Sequence, residues 1–283
     1  MAILKGIFSI FLAFSFLPNS SIAGEKIIVV SDICCPYVCD NINKQNIKSN
    51  TNTNKFKNSI SGDEYNPGFL VEIMQKAFSK TNIEIEHKFM PWTDATKFFA
   101  EGKADALIAT NDEYIEAEFP SIPQVRGFIL AYTNIDENWV YKGYNSLVNR
   151  KIGIVEGYNH PNSINKYLFS YLFSNPDLFV FINSINPIEK NINNLISGKI
   201  FMFAEDENVV NFYTNTNQIN KIKEAGEITN SPRDLYIVFS KKNNNAKKYS
   251  RLITQEMIKL KMENRLKSLM KKYNIKEYKN YDD

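Results

Sequence analysis

Short apolar segments alternate with helical segments along the first part of the chain, and this alternation limits the folds that it can adopt. Residues 26–31 read Lys-Ile-Ile-Val-Val-Ser, which is typical of a strand buried on both faces. Residues 68–80 place apolar side chains at helical spacing, and a second helix is predicted at 93–101. Further strands are predicted at 83–89 and 106–109. The order strand, helix, strand, helix, strand predicts right-handed crossovers and a parallel sheet.

The alternation continues towards the C-terminus, which places the chain in the α/β class. An apolar run at 127–133 has no helical period, and a second α/β unit is expected over residues 135–231. The apolar stripe of the last helical region is interpreted as core packing. Strands are predicted at 151–155, 180–182, 200–204 and 235–240, and helices at 163–173, 188–197, 206–214 and 245–273.

The N-terminal residues 1–23 have the three parts of a secretory signal peptide. Lys5 supplies positive charge, residues 7–17 form an apolar run, and residues 21–23 (Ser-Ile-Ala) are suited to cleavage after Ala23. The apolar run is shorter than the roughly 20 residues that span a bilayer, so we expect cleavage rather than anchoring. The mature protein is expected to be exported and soluble.

The charge pattern and the histidines argue against two classes of site. The net charge is +3, and acidic and basic residues are interspersed, whereas phosphate binding needs a concentrated basic face. We therefore expect no nucleic-acid partner. The two histidines, His87 and His160, lie far apart, and a zinc site would need more ligands at recognisable spacing. No metal or cofactor is expected.

All three cysteines fall within residues 34–39. In an exported protein a disulfide is the first expectation. We predict the pair Cys35–Cys39, which encloses a tight turn around Pro36, with Cys34 left free or buried. A bond between the adjacent Cys34 and Cys35 would form a strained ring. A redox-active role is the alternative, although the spacing is not Cys-x-x-Cys.

Residues 41–66 form a long polar segment between the first strand and the first helix. The segment is rich in Asn, Lys, Ser and Thr and contains few large apolar residues. Such a composition cannot bury much apolar area, so a mobile surface loop is predicted here.

Six short motifs, taken in order, resemble the bacterial extracellular solute-binding proteins of family 3, the receptors of polar amino-acid ABC importers. The resemblance spans nearly all of the mature chain, and the Cys-Pro-Tyr-Val-Cys element is similar to that of one subgroup. The motifs are Gly-Phe-Leu-Val-Glu-Ile at 68–73, Met-Pro-Trp at 90–92, Glu-Gly-Lys-Ala-Asp-Ala at 101–106, Lys-Ile-Gly-Ile-Val-Glu-Gly-Tyr at 151–158, Glu-Asp-Glu-Asn-Val at 205–209 and Leu-Tyr-Ile-Val-Phe-Ser-Lys-Lys at 235–242.

The resemblance implies a type 2 periplasmic-binding-protein fold with a ligand cleft between two lobes. Lobe 1 would combine residues 24–128 and 233–283, and lobe 2 would comprise residues 129–232. Two segments, 127–133 and 233–236, would form the hinge. Ligands of open α/β sheets bind beyond the carboxyl ends of the strands, so two facing lobes make a closable cleft. The resemblance further implies a monomeric, non-catalytic periplasmic protein that serves an ABC permease.

In lobe 1 the resemblance points to four ligand-binding residues. Tyr37 directly follows the first strand, where an aromatic ring of the family stacks on the ligand. Trp92 precedes a helix in a similar position, although core packing explains it almost as well. Thr110 ends a strand and offers hydroxyl and backbone groups. Tyr114 sits about where the family carries an arginine.

In lobe 2 three residues are candidates. Gly157 and Tyr158 are expected to open a helix, whose N-terminal amides suit an anionic ligand group. Asp206 resembles the acidic residue that pairs with a ligand amine. It also suits the N-cap of the helix predicted at 206–214, and the two roles are compatible.

The sequence departs from the family where an amino-acid ligand would be held. Family members that bind α-amino acids carry an arginine a few residues after the position of Thr110, where it pairs with the ligand carboxylate. Residues 111–115 contain no arginine, and the nearest one is Arg126. Asp94 stands two residues after Trp92, at a position where similar sequences often carry arginine. These changes favour a cationic or neutral polar ligand, held by Asp94, Asp206 and aromatic faces.

Two other functions remain open from the sequence. A periplasmic dehydratase or lyase on this fold could draw its carboxylates from Asp94, Glu156 and Asp206. No set of nucleophile, histidine and acid is visible, which favours binding without catalysis. A sensory or surface ligand-binding protein is the second alternative, with the 41–66 segment as a contact surface.

Overall fold

The computed structural model describes residues 25–40, 53–55, 66–111 and 115–278. Within these ranges the helices are α1 (Phe69–Phe78), α2 (Trp92–Ala100), α3 (Asn162–Tyr171), α4 (Pro187–Ile196), α5 (Glu207–Thr216), α6 (Ala246–Met262) and α7 (Arg265–Lys272). The strands are β1 (Lys26–Ser31), β2 (Thr53–Lys55), β3 (Glu84–Phe89), β4 (Ala106–Thr110), β5 (Ala117–Glu118), β6 (Val125–Gly127), β7 (Ile129–Asn134), β8 (Ile152–Val155), β9 (Phe179–Ile182), β10 (Met202–Asp206), β11 (Ile222–Glu227) and β12 (Arg233–Ser240).

The first sheet draws strands from both ends of the chain, in the order β2-β3-β1-β4-β12-β5, with β6 also paired to β12. Strand β1 is parallel to β3 and β4, which confirms the predicted parallel arrangement of these three strands. Strand β12 returns from the C-terminal part of the chain and pairs antiparallel with β4, β5 and β6. We call this sheet, together with α1, α2, α6 and α7, the first lobe.

The second sheet has the order β11-β7-β10-β8-β9. Strand β8 is parallel to β9 and β10, whereas β7 is antiparallel to β10 and β11. We call this sheet, together with α3, α4 and α5, the second lobe. The chain passes between the sheets twice, at Phe128 between β6 and β7 and at residues 228–232 between β11 and β12.

Buried aromatic rings join the helices of the first lobe to its sheet. The rings of Phe78 on α1 and Tyr249 on α6 lie 5.5 Å apart, and both contact Phe239 on β12. Burial of rings of this size is a large share of the driving force for packing helices on a sheet. The C-terminal helix therefore completes the core that α1 begins.

The sequence did not predict three local features. The helical region at 245–273 is divided into α6 and α7, because Asn264 adopts a left-handed conformation with φ 55°. Strand β11, Ile-Lys-Glu-Ala-Gly-Glu, lies at a sheet edge and buries only Ala225, so it carries no apolar pattern. Within the predicted 41–66 loop, β2 pairs antiparallel with β3, while most of the segment lies outside the described residues.

The predicted signal peptide also lies outside the described residues. In the part of the chain that the structure describes, no helix has both the length and the apolar character required to cross a membrane.

Two isoleucines of α6 test the packing of the first lobe. Ile253 is fully buried, whereas Ile258 is 43% exposed. We expect Ile253→Ala to lower the free energy of unfolding by about 2–5 kcal/mol, because it leaves a cavity beneath the helix. Ile258→Ala, on the same helix, should change it by less than about 0.5 kcal/mol. Urea unfolding of both variants measures the difference, and equal losses would contradict this packing.

Candidate ligand-binding site

A cavity lies between the two lobes, and side chains of both lobes form its wall. Asp32 directly follows β1, and Glu205 and Asp206 end β10, so the acidic wall residues lie at the carboxyl ends of strands. This is the edge at which open α/β sheets bind ligands. The other polar and aromatic wall residues used below are Cys34, Tyr37, Trp92, Tyr158, Asn159 and Arg233.

A tight turn fixes Tyr37 in the wall of the cavity. Cys35 and Cys39 form a disulfide across this turn, and Cys34 is free. The backbone amide of Tyr37 donates to the carbonyl of Cys34 at 2.9 Å. Gly68 packs so closely that a Cβ there would lie 2.4 Å from the Tyr37 carbonyl oxygen, and its φ of +98° favours glycine. The start of α1 therefore presses against the turn and holds Tyr37 in place.

Direct hydrogen bonds cross the cavity from one lobe to the other. The Tyr37 hydroxyl donates to Oδ1 of Asp206 at 2.9 Å, and Nδ2 of Asn208 donates to the Tyr37 hydroxyl at 3.0 Å. The Tyr158 hydroxyl of the second lobe donates to Oδ2 of Asp32 in the first lobe at 2.7 Å. The lobes are thus in contact around the cavity.

Asp206 also caps helix α5. Its Oδ1 accepts from the backbone amides of Asn208 at 2.9 Å and Val209 at 3.4 Å, which satisfies two amide groups at the helix start. A Cβ added at Gly127 would lie 1.7 Å from Oδ2 of Asp206. Only glycine therefore fits at the end of β6 while Asp206 holds this position.

An aromatic wall forms where the lobes meet beside α2. The rings of Trp92 and Tyr158 pack edge to face, with their centroids 5.8 Å apart. Gly157 has φ +79°, and a Cβ there would lie 2.9 Å from Cγ2 of Thr93. The absence of a side chain at Gly157 thus lets the second lobe approach the beginning of α2.

Three carboxyl groups share the cavity, and each has a raised pKa. Burial raises the pKa of Asp32 to about 7, and its hydrogen bond from Tyr158 opposes this shift. Burial raises the pKa of Glu205 to about 8, and the neighbouring Asp206 and Asp32 add to the effect. Burial raises the pKa of Asp206 to about 6, against the lowering effect of its hydrogen-bond donors. The cavity therefore disfavours additional negative charge.

One arginine also lines the cavity. Nη2 of Arg233, at the start of β12, donates to the carbonyl oxygen of Asn159 at 2.7 Å. The positive charge of Arg233 lowers the pKa of Glu205, opposing the effect of burial. The sequence had indicated Arg126 as the nearest arginine, but Nε of Arg126 pairs with Asp234 at 2.5 Å and the residue does not line the cavity. Arg233 was missed because only the return of β12 beside β4 brings it to the site.

The predicted ligand-binding residues have different positions in the structure. Tyr37, Trp92, Tyr158 and Asp206 line the cavity together. Thr110 is buried in β4 between two wall residues, and Gly157 lies behind the aromatic wall. Asp94 is exposed on the first turn of α2 and is not in the cavity wall. Tyr114 lies outside the described residues.

The expectation that Gly157 and Tyr158 open a helix was wrong. Helix α3 begins at Asn162, after the N-cap Pro161, because the chain first makes a turn in which His160 returns to β8. Nε2 of His160 is 2.9 Å from the carbonyl oxygen of Val155. The Tyr158 side chain, rather than helical amides, is what this segment presents to the cavity.

Asp32 and Glu205 were not among the ligand-binding residues predicted from the sequence. A signal for both existed, because Asp32 directly follows the first predicted strand and Glu205 begins the Glu-Asp-Glu-Asn-Val motif. Neither histidine lines the cavity. In the described part of the chain, no group of three or more His, Cys, Asp or Glu side chains is arranged to hold a metal ion.

Glu205→Gln tests the raised pKa of this carboxyl. Between the ordinary Glu pKa of about 4.3 and the folded value, the folded protein keeps a proton that the unfolded chain has lost. The pKa of Glu205 in the folded protein is about 8, so the stability of the wild type falls as the pH rises through this window. Glu205→Gln has no carboxyl group there and lacks that loss. We expect the stability of Glu205→Gln relative to wild type to increase from about pH 5 to about pH 8, measured by urea unfolding.

The control for this experiment is Glu224→Gln, which changes an exposed residue of β11 in the same lobe. Its stability relative to wild type should show no such rise. Burial lowers the pKa of His87 to about 3 and that of His160 to about 4, which gives an opposite trend common to all variants. Only differences between variants and wild type are therefore compared, and a flat difference for Glu205→Gln would contradict the raised pKa.

Known proteins similar to this chain are found among solved structures. No family model matches the chain, and no curated protein sequence matches it. The substrate-binding protein AbpA of an amino-acid ABC transporter from Streptococcus pneumoniae, bound to L-arginine, is 17% identical with a TM-score of 0.63, over 90% of this chain and 97% of that one.

Two further solved structures match over similar lengths. A structure from work on glutathione import via GshT and the cystine ABC importer TcyBC of Streptococcus mutans is 14% identical with a TM-score of 0.65, over 88% of this chain and 94% of that one. A histidine kinase sensor domain with similarity to periplasmic binding proteins is 12% identical with a TM-score of 0.64, over 89% and 96% of the two chains. This chain therefore has the two-lobed α/β fold of the periplasmic binding proteins.

Proposed function

We propose that this chain is an exported solute-binding protein that captures a small polar ligand, an amino acid or a related amine, between its lobes. The observation that carries the proposal is the cavity itself, because Asp32, Tyr37 and Trp92 face Tyr158, Glu205 and Asp206 of the other lobe. A few convergent polar groups within aromatic walls are typical of small-molecule sites. The division into lobe 1 (24–128 and 233–283) and lobe 2 (129–232) is part of the proposal.

Binding is coupled to closure of the lobes. A ligand in the cavity contacts both lobes at once only when they are together, so it stabilises the closed form relative to an open one. The two connections at Phe128 and residues 228–232 are the places where the backbone can absorb such a rotation. The hydrogen bonds of Tyr37 and Tyr158 across the cavity then contribute to the closed form.

We propose that the protein works in the periplasm as a monomer and delivers its ligand to an ABC permease of the inner membrane. The signal peptide predicted at 1–23 supports export. The similar fold of substrate-binding proteins of ABC transporters supports the permease partner. A sensory role is the second candidate, which the histidine kinase sensor domain of the same fold favours.

Catalysis is a further candidate, because two cavity carboxyls have pKa values near neutrality. Burial raises the pKa of Asp32 to about 7 and that of Glu205 to about 8, which suits proton transfer. The Asp94 and Glu156 carboxylates considered from the sequence do not line the cavity. Binding without conversion is preferred, since Asp32 and Asp206 are engaged in hydrogen bonds between the lobes.

The two tryptophans of the chain, Trp92 and Trp139, allow a direct test of closure. Trp92 contacts Tyr158 of the other lobe, whereas the Trp139 ring packs on Tyr141 and Phe201 of its own lobe. In Trp139→Phe, we expect a saturable change of tryptophan fluorescence when 1,4-diaminobutane, agmatine and the standard amino acids other than the fluorescent tryptophan and tyrosine are added. Trp92→Phe should show little change, because Trp139 lies away from the cavity.

The same samples separate binding from catalysis. After incubation, mass spectrometry should recover every added compound unaltered. A fluorescence change confined to Trp139 would contradict closure on a ligand, and conversion of an added compound would favour the enzymatic alternative.

A further inference from the structure

We infer that the ligand of this cavity carries a net positive charge, and that Glu205 is the carboxylate that binds its ammonium or guanidinium group. The inference rests on the proposed function, because it assigns the ligand class of the same cavity. It follows from the different hydrogen-bond partners of the acidic side chains in the cavity wall.

One oxygen of Asp206 is already fully engaged by protein donors. Its Oδ1 already accepts from the Tyr37 hydroxyl and from the backbone amides of Asn208 and Val209. Its Oδ2 lies against Gly127, where a Cβ would come within 1.7 Å. The acidic residue that the family resemblance assigned to a ligand amine is therefore occupied in holding the lobes and capping α5.

Glu205 makes no hydrogen bond to the opposite lobe among the described residues, whereas Asp32 accepts one from Tyr158 and Asp206 accepts one from Tyr37. Oε1 of Glu205 accepts from the backbone amide of Asp206 at 2.9 Å, while Oε2 has no hydrogen-bond partner among the described residues. The side chain is in the cavity wall, and the residue is only 9% exposed. Burial raises the pKa of Glu205 to about 8, and an ammonium or guanidinium group that pairs with Oε2 would stabilise the charged form and lower that pKa.

Acidic groups outnumber basic ones around Glu205. Burial raises the pKa of the Cys34 thiol, the charges of Asp32, Glu205 and Asp206 each raise it further, and all four side chains line the same cavity. None of the three carboxyls forms a salt bridge with a lysine or arginine within the described ranges. Arg233 is the one arginine of the described cavity wall, which leaves three acids facing one base.

The aromatic wall is compatible with the same ligand. Trp92 and Tyr158 line the cavity beside Asp32, and aromatic faces attract ammonium and guanidinium groups. Two kinds of cationic ligand fit this wall. One is a simple amine, and the other is a basic amino acid whose carboxylate could pair with Arg233. A simple amine and a basic amino acid share the recognised group, and the experiment distinguishes them.

The test is calorimetric titration of the purified protein, dialysed free of small molecules, with 1,4-diaminobutane, L-arginine, L-glutamine and L-glutamate at about pH 8. We expect 1,4-diaminobutane or L-arginine to bind at least roughly tenfold more tightly than L-glutamine and L-glutamate. Tighter binding of 1,4-diaminobutane identifies a simple amine as the ligand type. Tighter binding of L-arginine identifies a basic amino acid as the ligand type.

Glu205→Gln should weaken binding of the preferred cation by roughly 10- to 100-fold, the effect of a lost charge-assisted hydrogen bond. Gln retains an acceptor for the Asp206 amide, and Glu205→Asp, which keeps the charge, should lose less affinity. Glu224→Gln, on an exposed edge of the same lobe, should bind as wild type does.

Two results would overturn the inference and leave the proposed function standing: tightest binding of L-glutamine or L-glutamate, or cation binding that Glu205→Gln does not weaken. Absence of binding by all four compounds, together with an unresponsive Trp92, would contradict the proposed function as well.

Discussion

The carboxylate of Asp206 is the contact on which the arrangement of the lobes depends. It accepts a hydrogen bond from Tyr37 of the first lobe and two from the start of α5 in the second lobe. Its second oxygen lies against Gly127, the last residue before the chain crosses between the sheets. Because one side chain joins both lobes, caps a helix and packs at the crossing, small changes there would move the cavity walls relative to each other.

The disulfide-bridged turn and the acidic cavity follow from this contact. The turn at Cys35–Cys39 and the start of α1 hold Tyr37 where it reaches Asp206. With Asp206 engaged in this way, Glu205 is left as a buried carboxyl that makes no hydrogen bond to the opposite lobe among the described residues. Folding thus places a costly group in the cavity, which is typical of functional sites rather than of cores. A cation that fills the cavity would offset this cost and favour the closed lobes together.

The sequence predicted most of the fold because apolar periodicity marks strands and helices that pack on a core. It failed at Asn264, where a left-handed residue divides one helical pattern in two, and at β11, an edge strand with one buried side chain. At the site, the family resemblance found Tyr37, which local order places after β1. The departure from the family at Asp94 favoured a residue whose exposure depends on how α2 is rotated. Arg233 was missed, because it reaches the cavity only through sheet pairing distant in sequence.

The central claim is that the two lobes enclose a small organic cation. Mass spectrometry of the molecules released on denaturing the purified native protein tests it most directly. We expect release of one intact small molecule with an ammonium or guanidinium group, in an amount close to that of the protein. Release of an anionic or uncharged compound in that amount would contradict it.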